Sequence, residues 1–173
     1  MATYPPTTPI SKSGLRADVK GEVGAYSTKK FMTSVQLSSG VTYVFFWNDD
    51  KGSNFISYLF GPTDTATYPP YRIMVDGSPI KNSDSYPLAA AEADNQIHLF
   101  YIDDSFIINE LILNVPTKTW KKGKIATNQY KTRDSSAISA TGSPVLKVNY
   151  IRASDSQISE AYYTCESWST QAL

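Results

Sequence analysis

The sequence predicts an all-β fold built from about three copies of a strand unit of about 40–50 residues. Three observations predict it. Helical periodicity is nearly absent. Short apolar alternations recur between Gly, Pro, Asn, Asp and Ser. The strongest alternations come as hairpins, each preceded by a run of small or modest residues.

The first hairpin is Val41–Trp47, with the turn signal Asn48–Gly52 and a return over Phe55–Phe60 that Gly61-Pro62 stops. The second is Ile97–Ile102, turn Asp103–Ser105, then Ile107–Leu113. The third is Leu146–Ile151, turn Ala153–Ser156, then Gln157–Tyr163. Asp49-Asp50 and Asp103-Asp104 fall in turns, where carboxylates bond the backbone. The preceding runs are Met32–Val35, Leu88–Ala91 and Ala137–Ala140. Ala89–Ala93 is the best helix-forming stretch, but Pro87 before it and Asp94-Asn95 after it leave room only for a short strand of small residues. Trp120 and Trp168 trail the second and third hairpins. The first instead has a Pro-rich tail, Tyr68–Tyr71.

One domain spans residues 1–173, divided into an N-terminal arm or extra strand (1–27) and units at 28–84, 85–134 and 135–173. A four-stranded unit whose first strand is small suits a β-propeller blade, because the innermost strands crowd a central channel. Three blades cannot close a ring, so a homodimer with six is expected. The alternative is a β-trefoil, against which Leu88–Ala91 argues, since a trefoil core takes large residues.

Composition excludes several function classes. Lys+Arg is 16 and Asp+Glu is 16, so no basic excess marks a nucleic-acid binder; the densest basic run, Lys121, Lys122 and Lys124, reads as a turn. One Cys (Cys165, a small packing residue on this reading) and one His (His98) make neither a disulfide nor a structural zinc site, and no cofactor motif occurs. No basic, then apolar leader opens the chain, and no stretch approaches the roughly 18 apolar residues of a membrane span. A cytoplasmic location, or secretion without a visible signal, is the expectation. No Gly-x-Ser-x-Gly elbow is present and a single His leaves little choice of base, so the chain reads as a binding protein and no enzyme. Twelve Tyr suit strand packing, and also sugar contact, since each ring has an apolar face and a polar tip.

The order small strand, aliphatic–basic–aliphatic–x–Tyr, turn, Ile-x-Glu or Ile-Ser-Glu, then Trp resembles the fungal fucose-specific lectin family of six-bladed propellers. The resemblance covers roughly residues 31–173. It implies sugar sites between blades, each combining an Arg on the second strand, a Glu on the third and aromatic residues soon after. In the third unit it implies Glu160, Tyr163 and Trp168, with Lys147 in the place of the Arg. In the second it implies Glu110 and Trp120, with His98 for Arg and Leu113 for the aromatic. In the first, Thr42 and Tyr58 stand near the basic and acidic positions. The implied partners are glycans, fucosylated ones among them.

Plainer roles compete for five of these residues. Glu110 and Glu160 suit ordinary solvent-facing strand positions, His98 a structural or partly exposed one, and Trp120 and Trp168 seals over the outer blade faces. On those roles the chain is a propeller-like interaction or structural protein that has lost sugar binding. A propeller glycoside hydrolase stands third, because its two carboxylates need no sequence motif.

Overall fold

The computed structural model describes residues 30–50, 52–62 and 70–173. The expected arm (1–27), Lys51 of the first turn and Tyr68-Pro69 of the first tail lie outside them. The described chain forms three antiparallel sheets in succession. The first holds β1 (Lys30–Gln36), β2 (Val41–Asp50), β3 (Ser53–Pro62) and β4 (Tyr71–Arg72). A two-stranded ribbon, β5 (Met74–Val75) and β6 (Ser78–Pro79), follows, and β7 (Lys81–Asn82) returns to pair with β3. The second sheet runs β8 (Leu88–Ala93), β9 (Gln96–Ile102), β10 (Ile108–Asn114) and β11 (Thr119–Lys122). The third runs β12 (Ile138–Thr141), β13 (Lys147–Ile151), β14 (Ile158–Thr164) and β15 (Ser167–Ala172). Lys121 and Lys122 therefore extend strand β11, and only Gly123 and Lys124 lie in the connection beyond it. The basic run is a strand end because Ile112 and Leu111 pair with those two lysines.

The sheets stack face to face, as propeller blades do, rather than closing into a trefoil barrel. Strand alternation assigns each residue to one face. Tyr43, Phe45 and Trp47 of the first blade meet Ile97, Leu99 and Tyr101 of the second in one core. The opposite face of the second blade, with Phe100, Ala89 and Ala91, meets Leu146, Val148, Tyr150, Ala161 and Trp168 of the third in another. Each core buries large side chains completely, Trp47, Phe45 and Phe100 among them. At about 1.5–3 kcal/mol per buried large apolar side chain, these two seams hold the row of blades together.

The innermost strands explain the alanines. β8 packs against β1 on one side and β12 on the other. Alanine has low strand propensity, but only small side chains fit so close an approach, and pairing with β9 fixes the extended form. Gly142, at the end of β12, shows the same crowding: a Cβ there would fall 1.7 Å from the carbonyl oxygen of Glu92.

Candidate functional site

Each blade turns one face toward its successor, and the second and third strands carry the side chains of that face. In the second blade, Glu110 lies directly opposite Phe100, and His98 opposite Ile112, so His98 and Glu110 are diagonal neighbours. His98 Nδ1–H donates to Glu110 Oε1 at 2.7 Å. The other carboxylate oxygen accepts the Lys124 amide at 3.1 Å. Gly123 lies against this carboxylate so closely that a Cβ would sit 1.9 Å from Oε2. The pair is sealed, with His98 7% and Glu110 4% exposed. Neither is the solvent-facing or partly exposed strand residue that its position in the sequence allowed.

The third blade repeats the diagonal. Glu160 lies opposite Asn149, and Lys147 opposite Tyr162. Lys147 Nζ meets Glu160 Oε1 at 3.0 Å, and Gln171 Nε2 donates to the same oxygen at 3.1 Å. Here the pair is open on the cation side: the Lys147 side chain keeps 37% of its exposure, the Glu160 side chain 9%. Lys offers a point charge where Arg would offer a planar fork.

In the first blade the same face carries Tyr43, opposite Phe60, and Tyr58, opposite Phe45. Tyr58 thus holds the register position of Glu110 and Glu160, as expected. The basic position is held by Tyr43 and not by Thr42, which points to the other face. No acid–base pair forms there. The signal for Tyr43 was in the sequence, as the aromatic that precedes Phe45 by two residues, but the ten-residue strands of this hairpin separate the two positions further than in the other units.

The tryptophans work between blades. Trp168 meets Phe100 edge-on, centroids 5.8 Å apart at 88°. Trp120 meets Phe45 in the same way, at 5.9 Å and 84°, and packs beside Tyr58 at 5.7 Å. Each Trp therefore closes the cleft of the preceding blade. Tyr163 lies opposite Trp168 with its ring 5.4 Å away, and faces the second blade with it. Glu160 and Tyr163 are three residues apart on one strand, and so point to opposite faces. The structure brings Lys147 to Glu160, and Trp168 with Tyr163 to the side of the third blade that covers His98 and Glu110. It does not gather all four residues of the third unit in one pocket. Leu113 pairs with Trp120 as Tyr163 pairs with Trp168.

Cys165 is exposed in the β14–β15 turn with φ 49°, and does not pack in the core. Among the described residues no cluster of three or more His, Cys, Asp or Glu could hold a metal ion, and no helix is long and apolar enough to cross a membrane.

No protein-family model matches the chain, and no curated protein matches it. Solved structures do. AofleA from Arthrobotrys oligospora superposes with a TM-score of 0.63 at 15% identity, over 82% of this chain and 41% of its own. The Aleuria aurantia lectin, described as a six-bladed β-propeller with a novel fucose recognition mode, gives 0.57 at 20% identity, over 84% and 48%. A variant of that lectin in complex with alpha-methyl-L-fucoside gives 0.57 at 19%, again over 84% and 48%. The chain spans less than half the length of these proteins. At such identities the likeness is one of fold, and in fold this chain is a partial β-propeller of the kind found in the fungal fucose-specific lectins.

Proposed function

We propose that this chain is a non-catalytic carbohydrate-binding protein, that Lys147 and Glu160 are the polar centre of its open sugar site, and that fucosylated glycans are its ligands. One observation carries the reading. The same diagonal base–acid pair recurs on the same face of two successive blades, and over the first of the two faces the next blade lays an aromatic ring. Such a pair suits a sugar. The carboxylate accepts bonds from hydroxyls, the cation donates to them, and a neighbouring ring covers the apolar face of the pyranose. The fucoside bound to the structurally similar Aleuria aurantia lectin variant supports fucose as the first sugar to try.

The two pairs divide the labour. His98–Glu110 is closed over by Gly123 and the Lys124 amide of its own blade, so its role is structural. Lys147–Glu160 keeps an exposed cation and takes the ligand. Its aromatic wall comes from a fourth blade, supplied by a second copy of the chain. A second reading, an interaction protein with spent sugar sites, is favoured by the burial of His98 where an Arg would bind.

Titration calorimetry against alpha-methyl fucoside and a fucosylated-glycan panel tests the proposal. The wild type should bind weakly, Glu160→Ala should abolish binding, and Lys147→Arg should tighten it by restoring a planar donor fork. Binding unchanged in Glu160→Ala would place the pocket elsewhere. No binding by either the wild type or Lys147→Arg would leave the interaction protein as the reading. Turnover of chromogenic glycosides would make the protein an enzyme.

A further inference from the structure

We propose that the cleft between the first and second blades is a second ligand site, one that takes a pyranose bearing a carboxylate. This cleft has no acid at the register position of Glu110 and Glu160, because Tyr58 stands there. Its cation arrives from the opposite wall. Lys118, in the β10–β11 turn with φ 58°, reaches across the seam and donates to the hydroxyl oxygen of Tyr43. The same ammonium lies 4.9 Å from the centre of the Phe60 ring and 5.2 Å from that of Tyr43. Phe60 and Tyr71, both partly exposed, stand 5.6 Å apart beside it.

These parts favour one class of ligand. An ammonium has three donors, of which Tyr43 takes one. No ion pair joins Lys118 to a carboxylate among the described residues, and burial of its stem among the rings pushes the amine below its ordinary range. An incoming anion offsets that cost, whereas a cationic ligand would add to it. The partly exposed Tyr71 ring near a fixed cation matches a sugar ring with a carboxylate on its edge. The seam between the second and third blades inverts the charge. The turn position two residues before the tryptophan, Lys118 ahead of Trp120, is Glu166 ahead of Trp168. Acidic sugars are therefore steered to the first seam over the second.

The proposal borrows from the carbohydrate-binding reading the idea that blade seams hold sugars, but uses none of the same side chains. Two-dimensional NMR titration of the full chain with methyl glucuronide, and with the neutral methyl glucoside, tests it. The glucuronide should shift the amides of Thr117–Thr119 and of Phe60 and Tyr71, and the glucoside should not. Lys118→Met should weaken glucuronide binding about tenfold or more, Lys118→Arg should retain it, and added salt should weaken it. Fucoside binding should be the same in Lys118→Met as in the wild type, which also shows that the variant is folded. Equal shifts with both sugars, binding unchanged in Lys118→Met, or no glucuronide shift at these amides would overturn the proposal. Glucuronide binding without any fucoside binding would overturn only the assignment of Lys147 and Glu160.

Discussion

His98 and Glu110, twelve residues apart in sequence, are locked together by an imidazole-to-carboxylate bond of 2.7 Å inside the seam between two blades. Buried polar groups of this kind are costly unless fully partnered, and here the partners include a backbone amide. Gly123 makes room for the carboxylate, and its own amide donates to the Glu110 carbonyl at 2.8 Å. Gly123→Ala should therefore push the carboxylate off His98 and cost about 1–3 kcal/mol, the scale of an overpacked core. Urea denaturation measures it. Glu110→Ala in the Gly123→Ala background should add less than it does alone, because the two sites share one clash. Wild-type stability in Gly123→Ala would show that the carboxylate is free to move.

The two base–acid pairs should differ in what they do for stability. Glu110→Ala strands a buried imidazole N–H and the Lys124 amide, at roughly 1–3 kcal/mol for the unsatisfied donors. Glu160→Ala leaves a lysine that already reaches water, so its cost should be smaller, nearer the ~0–1 kcal/mol of an exposed pair. Urea midpoints of the two variants provide the comparison. A larger loss from Glu160→Ala would mean that the open pair is the structural one.

Much of this architecture was legible in the sequence, for reasons that particular residues show. The hairpins could be read because their apolar runs alternate and their turns carry Asp, Asn and Gly. Ala89–Ala91 marked an inner strand because nothing larger fits between neighbouring blades. Glu110 and Glu160 were found as positions, but their burial was not visible. It depends on Gly123 and on Gln171, which reach the carboxylates through folding and not through spacing. The grouping of Glu160 with Trp168 followed the chain, whereas the clefts follow the stacking. A tryptophan at the end of one unit serves the unit before it, so linear proximity misassigned the wall. Thr42 was one residue from the true position, and a one-residue slip in a strand exchanges its faces.

Alkaline pH should unfold the protein through its buried tyrosines. Burial, with a smaller contribution from the Asp103 charge, pushes the Tyr101 hydroxyl up to about 12 from an ordinary value of 10.0. Tyr43 and Tyr58 are raised as well, chiefly by burial. The folded state thus holds the Tyr101 proton more tightly than the unfolded chain does. Its contribution is fully present below pH 10 and is lost as pH rises from about 10 through about 12. By linkage the loss approaches roughly 2–3 kcal/mol for a shift of that size. Urea midpoints at pH 9 and pH 11.5 should fall steeply for the wild type and less for Tyr101→Phe, which has no hydroxyl to ionise. Equal falls would assign the alkaline limit to other groups.

Assembly follows from the way each cleft is completed. Trp120 closes the face of the first blade and Trp168 that of the second, but the third blade's outward face meets no further blade among the described residues. That face carries Lys147 and Glu160, and on the same strand face Ile158, two residues from Glu160, is 55% exposed. In the first two seams the residue at this position, Ile56 before Tyr58 and Ile108 before Glu110, is fully buried, so an exposed Ile158 suits a third seam. We expect a second copy to supply the missing blade, so that two chains of three blades close one six-bladed ring with twofold symmetry. Light scattering should then give twice the chain mass of 19.1 kDa. Ile158→Asp places a charge in the seam and should shift the protein toward monomer, with fucoside affinity falling in parallel because the aromatic wall is lost. A monodisperse wild-type monomer would sink the closed ring. Fucoside binding unchanged in a monomeric Ile158→Asp variant would show instead that the Lys147–Glu160 site is complete within one chain.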